Sequence, residues 1–201
     1  MLIETFFPVP PVPVALVEQE TSRQPRGVKV PHLITMHKAT KAIFASNPKK
    51  AASMDGLTFK VWQELWPVVQ TRVLALYQAS YQLSYIPKSW KVAKIITLQK
   101  PGKLDYTKPK AFRPISLLLT ISKGLEAVIA ARLSYLAEEH SLLLKNHFGA
   151  RPKCLVKQAL VVLVERIYET WRGKRKVLLV SFNVWGVFNS VHSSALYRRL
   201  V

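Results

Sequence analysis

Residues 177–191 read VLLVSFNVWGVFNSV. Four apolar residues, Val177 to Val180, lead through Ser181 and Phe182 to Asn183 and then to a turn at Gly186. Such a run predicts a buried strand that delivers one polar side chain to its end. Taken alone it also fits a plain strand entering a turn, since Asn tolerates turn backbone. The charge balance around it is one-sided. The last acidic residue of the chain is Glu169, so nothing between Thr170 and Val201 supplies a carboxylate.

That imbalance extends to the whole sequence. The chain has 201 residues, 30 Lys and Arg against 11 Asp and Glu, and a formal net charge of +19. A charge of that size exceeds what solubility needs and predicts a polyanionic partner, with nucleic acid first. A solvated basic surface or affinity for an acidic membrane face would give the same composition. The length suits one domain or slightly more, with enough apolar residues for a core. Cys154 is the single cysteine, which excludes an intramolecular disulfide, and no paired Cys/His spacing suggests zinc.

The apolar run Phe6 to Val17 has no basic residue before it and contains Pro8, Pro10, Pro11 and Pro13, so it reads as an extended arm and not as a signal peptide. Glu4, Glu18 and Glu20, with no Lys or Arg in the first 21 residues, disfavour a mitochondrial presequence. No stretch approaches the roughly 20 apolar residues of a membrane-spanning helix, and no membrane association is expected.

Residues 1–31 therefore read as a Pro-rich tail or linker, and 32–201 as the folded part. A short helix is predicted over Thr35–Ala45, followed by a basic loop from Asn47 to the Asp55-Gly56 turn. Leu57 to Leu83 has helical apolar spacing, which Pro67 is expected to divide into two helices. Ile95–Leu98 is a short β-branched strand, closed by the Pro101-Gly102 turn. Ile121, Leu125, Val128, Ile129, Leu133 and Leu136 fall on one helical face; Val156, Leu160, Leu163, Val164, Ile167 and Trp171 do so in the next helix. No internal repeat is evident. The fold class is helix-rich α+β.

The strand at Ile95 is ringed by cations. Lys88, Lys91, Lys94, Lys100 and Lys103 surround it, and Lys108, Lys110 and Arg113 follow after one turn. A β-hairpin so loaded repels itself unless anions lie nearby, as a triphosphate or a nucleic-acid backbone would. Lys91, Lys94 and Lys103 are candidate nucleic-acid contacts, although ordinary surface charge explains lysines of this kind equally well.

Five segments, in order, resemble the reverse transcriptase of non-LTR, LINE-like retrotransposons, with a leaning to the fungal kind. They are MDGLTFKVWQELWP after the Pro-rich ETFFPVPPVP, IPKSWKVAKIITLQKPGKLDY, KAFRPISLL, LLLKNHFGARP, and SFNVWGVFNSVH. Together they are far more specific than any one alone. The resemblance implies the fingers and first palm strand of a right-hand polymerase. It also implies an intracellular protein, nuclear or cytoplasmic.

It also assigns roles. Arg113 stands where the family's Arg touches the incoming triphosphate, a task suited to the planar guanidinium fork. Lys100 and Phe188 are the further nucleotide-binding candidates, Phe188 matching the aromatic under the sugar. Arg151, between Gly149 and Pro152, is a candidate phosphate contact near the template, or else part of a turn fixed by Gly and Pro. Asn183 occupies the place of the family's metal-binding Asp. Intact members use two Mg²⁺ ions, which require hard anionic oxygens, whereas Asn offers a neutral carbonyl. Trp185, Val187, Lys153, Cys154 and Leu155 depart from the pattern, the last where Ser is common.

The family's later hairpin with paired Asp residues is not reached by Val201. We therefore expect a truncated RNA-directed DNA polymerase domain, catalytically inactive, with no metal or cofactor of its own. Its partner would be an RNA template or RNA:DNA hybrid. The alternatives are a non-catalytic basic nucleic-acid-binding protein derived from such an element, or the product of a decaying element.

Overall fold

Thr35 starts the first helix by accepting a hydrogen bond from the Lys38 amide at 3.4 Å, a side-chain N-cap. In the computed structural model, which describes residues 33–183, 191–192 and 194–196, this helix is α1, Met36–Phe44. It buries Ala39 and Ile43. The expected Pro-rich arm and the turn at Gly186 lie outside the described residues, as does Phe188.

The second helix, α2, corrects the expectation of a break at Pro67. It is one element, Phe59–Gln82, with Pro67 inside it. The proline removes the amide that would bond the Gln63 carbonyl, at a cost of about 3 kcal/mol. Phe59, Trp66, Val73 and Tyr77 are buried on both sides of that point, each contributing roughly 1.5–3 kcal/mol. Burial along the whole length therefore outweighs the local defect. The Gln63 side chain ties α2 to the end of α1, donating to the Ile43 and Ser46 carbonyls at 3.0 and 3.1 Å. Past Gln82, Ser84 takes a left-handed conformation (φ 49°) and the Tyr85 amide reaches back to the Ser80 carbonyl at 3.0 Å, which closes the helix.

A 3₁₀ turn, Lys88–Lys91, places Trp90 in the core and leads to strand β1, Lys94–Gln99. A second 3₁₀ turn, Pro109–Ala111, precedes strand β2, Phe112–Leu117. The strands pair antiparallel, with Lys94 opposite Leu117, Leu98 opposite Arg113 and Gln99 opposite Phe112. The predicted strand is thus present, one residue longer at each end. In the Pro101-Gly102 turn, Gly102 has φ +72°, which favours glycine.

Helix α3, Thr120–Glu139, follows β2 directly. Its Ile121, Leu125 and Val128 join Ile34, Ile43, Phe59, Trp66, Val73, Tyr77 and Trp90 in one core. Tyr77 lies at the centre: it is fully buried, donates to the Ile121 carbonyl at 2.7 Å, and meets Trp90 edge-to-face at 6.3 Å. Burial pushes its phenol well above the ordinary tyrosine range, so it remains a donor. Two side-chain bonds anchor the base of the β-ribbon: Ser53 Oγ donates to the Leu117 carbonyl at 2.7 Å, and Thr120 Oγ1 to the Leu57 carbonyl at 3.0 Å.

The chain divides into two compact units, the first running to Ala131 and resuming at His192, the second spanning Arg132–Val191. The second unit holds the end of α3, a loop, and helix α4, Val156–Arg172. Here two expectations are corrected. The predicted apolar face of α4 buries no residue; Leu160, Val164 and Trp171 are exposed, as is Leu133 on α3. The predicted buried strand at Val177–Val180 is neither strand nor buried, and Leu178 is 87 % exposed. A strand exists only when a neighbour takes its amides and carbonyls, and no pairing partner for these residues is present among the described ones.

Leu155, where the resemblance expects a Ser, sits at a helix start. It is the extended N-cap of α4, and its amide donates to Gln158 Oε1 at 2.8 Å. That is half of a capping box, because a leucine side chain has no acceptor to return. Leu155→Ser is expected to stabilise the second unit by about 1 kcal/mol, read as a higher unfolding midpoint with increased helical circular dichroism.

Candidate nucleic-acid interface

Strand alternation sorts the hairpin into two faces. Lys94, Ile96 and Leu98 share one with their partners Leu117, Ile115 and Arg113. The Lys100 amide bonds the Ala111 carbonyl at 2.8 Å, extending the pairing by one step and placing Lys100 on that same side. Lys94 and Arg113 are exposed, and Lys100 is half-buried. The structure thus brings Lys94, Lys100 and Arg113 together on one face of a ribbon. Lys91, on the preceding 3₁₀ turn, and Lys103, in the connecting turn, are exposed beside it.

The connection between the strands braces itself. Lys100 Nζ donates to the Lys110 carbonyl at 2.7 Å, and the Lys100 carbonyl accepts from the Tyr106 hydroxyl at 2.9 Å. Tyr106 in turn packs edge-on against Phe112, 6.2 Å between centroids. From Lys88 to Arg113 the sequence holds eight cations and one carboxylate, Asp105. Asp105 lies 3.3 Å from Lys108 and accepts from both the amide and hydroxyl of Thr107, bonds that hold its carboxyl below the usual range. The remaining positive charge on the ribbon is left without a carboxylate among the described residues.

Two clefts flank the ribbon's base in the first unit. One of about 470 Å³ is bounded by Lys50, Phe59, Leu117 and Lys123, the last paired with Glu126 at 2.7 Å. The other, about 260 Å³, is lined by Trp90, Lys91, Leu125 and Ile129. Lys50 and Lys123 were not singled out from sequence, since neither stands in a pattern distinguishable from surface charge.

In the second unit, Arg151 is engaged internally. Its Nε and Nη2 grip the two oxygens of Glu138 at 2.7 and 2.8 Å, and Nη1 reaches the Leu144 and His147 carbonyls at 3.3 and 3.5 Å. The pairing lowers the Glu138 carboxyl pKa and raises that of Arg151, chiefly through the shared hydrogen bonds. Glu138 had no sequence signal, being thirteen positions away across a loop. The left-handed residues of the loop are Ala150 and Lys153, with φ 51° and 60°, each directly following Gly149 or Pro152.

Asn183 is exposed, in neither helix nor strand. Among the described residues no three His, Cys, Asp or Glu side chains cluster as a metal site. Asn183 offers a neutral amide oxygen, a poor ligand for Mg²⁺ beside the anionic oxygens that ion prefers. Among these residues, no helix is long and apolar enough to cross a membrane.

The first unit is thus a basic β-ribbon on a helical core. Comparison with known proteins gives the chain its kinship. The chain is 30% identical over 168 residues to a probable RNA-directed DNA polymerase from transposon BS of Drosophila melanogaster, a match covering 83% of this chain and 18% of that protein. It is 27% identical over 201 residues to the RNA-directed DNA polymerase from mobile element jockey, covering 98% of this chain and 22% of that one. To a putative 115 kDa protein in the type-1 retrotransposable element R1DM it is 23% identical over 202 residues, covering 100% of this chain and 18% of the relative. No protein-family profile matches the chain. The homologues of this chain are proteins of non-LTR retrotransposons, RNA-directed DNA polymerases among them, and it spans about a fifth of the length of these three. These three relatives are from Drosophila melanogaster, and the kinship they show stands at the level of non-LTR elements.

Proposed function

We propose that this chain is a fingers-like portion of a non-LTR reverse transcriptase domain that binds nucleic acid and does not polymerise. The observation that carries the binding half is the shared face of Lys94, Lys100 and Arg113 on an exposed two-stranded ribbon with one locally occupied carboxylate. Phosphates relieve the mutual repulsion of those cations, and the Arg113 guanidinium offers a fork for two phosphate oxygens. The half that denies catalysis rests on Asn183. Phosphoryl transfer by two metals needs anionic ligands at the reacting centre, and this chain supplies a neutral amide where the resemblance places one.

Both halves are tested on the full chain. Fluorescence anisotropy with a labelled RNA:DNA primer-template should show saturable binding that weakens steeply as salt rises. Primer extension with Mg²⁺ should give no product above the no-protein background, either for the chain or for its Asn183→Asp variant, because one carboxylate cannot hold two metals in reacting geometry. Incorporation by either protein overturns the inactive assignment. Binding that is indifferent to salt overturns the phosphate reading.

A further inference from the structure

The Glu138–Arg151 pair ties down a loop, residues 140–155, that is rich in cations and contains no acidic residue of its own. Between Glu139 and Glu165 the sequence contains no acidic residue, while Lys145, Arg151, Lys153 and Lys157 all fall within it. Lys145, Lys153 and Lys157 are exposed. Arg151 is the exception, folded back onto Glu138 in a two-toothed grip with side chains 20% and 31% exposed, so solvent reaches the pair. The loop that carries it holds three non-glycine residues in left-handed backbone, Ser141, Ala150 and Lys153. Each disfavours that conformation, so the loop persists through its internal bonds. The Arg151 bonds to Glu138, Leu144 and His147 are among the side-chain ties that do so.

A carboxylate and a phosphate present the same pair of oxygens to a guanidinium. We infer that Glu138 holds the place of a nucleic-acid phosphate on Arg151, so that the loop of residues 140–155 is a backbone contact kept closed by its own carboxylate and opened by exchange of one anion for another. Exchange conserves both hydrogen bonds of the fork and adds the phosphate's attraction to the exposed lysines, while freeing the loop from a strained backbone. This rests on the nucleic-acid reading above and adds to it a contact with a built-in competitor. Because the phosphate is the shared chemistry, an oligonucleotide and inorganic tripolyphosphate serve as separate probes.

The test uses the full chain, its Glu138→Gln and Glu139→Gln variants, and the double variant Glu138→Gln/Arg151→Gln. Glu139 is the adjacent exposed carboxylate and controls for the general loss of one negative charge. Glu138→Gln should bind an RNA:DNA oligonucleotide roughly five-fold more tightly, with a salt slope steeper by about one unit, as one further phosphate contact requires. Glu139→Gln should gain less than half of that, and the double variant should lose the gain. In the unaltered protein, the Arg151 Nε–H resonance should move on titration with the oligonucleotide, and with tripolyphosphate at higher concentration. That resonance remains a readout even if Glu138→Gln unfolds. Equal gains in Glu138→Gln and Glu139→Gln, a gain that survives in the double variant, or an Arg151 resonance unmoved at saturation each overturn the inference while leaving hairpin binding intact. Failure of every protein to bind overturns the nucleic-acid reading itself, and this inference with it.

Discussion

Replacing Lys94, Lys100 and Arg113 together by Ala should lower affinity for an RNA:DNA hybrid by roughly two orders of magnitude and flatten its salt dependence by about two to three units, since each lost phosphate contact withholds close to one released counterion. The three are grouped because they share one face of the ribbon. Lys100 also carries a structural duty through its bond to the Lys110 carbonyl, so Lys100→Ala alone would mix a loosened turn with a lost charge. Arg113→Lys separates charge from geometry: it keeps the cation and loses the fork. Its affinity should drop while its salt slope stays that of the parent. Anisotropy titrations at several salt concentrations measure both quantities, and an unchanged slope in the triple variant would remove the ribbon from the interface.

Gly124→Ala should be the most disruptive single methyl addition to the first unit. A Cβ at this position of α3 would collide with the Tyr77 hydroxyl and stand 2.8 Å from Ile43 Cδ1. Both atoms belong to fully buried side chains, and close-packed interiors yield little to an added methyl. Overpacking of this kind costs about 1–3 kcal/mol, and displacing Tyr77 from the Ile121 carbonyl adds about 1 kcal/mol more. The better helix propensity of alanine returns less than about 1 kcal/mol. A net loss of about 2 kcal/mol corresponds to a fall of roughly 5–15 °C in midpoint for a unit of this size.

Tyr77→Phe removes the hydroxyl that collides, at the cost of its hydrogen bond. The double variant Tyr77→Phe/Gly124→Ala should therefore be more stable than the two single losses added together predict. Trimming the other neighbour, Ile43→Val, should relieve a further part. Thermal unfolding followed by circular dichroism decides it, and simple additivity would mean that Gly124 is not pressed against Tyr77.

Local signals were strong where neighbours in sequence are also partners in space. The short helical run at Thr35–Ala45, the β-branched run at Ile95 and the Pro101-Gly102 turn each announce their backbone directly, and the structure has a helix, a strand and a turn there. Pro67 misled because a proline's cost is local and legible, whereas the burial of Phe59, Trp66, Val73 and Tyr77 that outweighs it belongs to the assembled core. Val177–Val180 misled in the opposite sense. Its composition reports a preference for burial and pairing, and a strand takes form only when another chain segment supplies both.

The candidate site divides in the same way. Sequence alone determined the excess of cations around Ile95, the kinship with non-LTR polymerases, and the amide at Asn183, since composition and residue identity do not depend on folding. Only the tertiary structure decided that Lys94, Lys100 and Arg113 share a face, because β-register fixes which side chains align. It likewise decided that Arg151 is held by Glu138, a pairing made by a loop that folds back on itself and brings distant charges within hydrogen-bond reach.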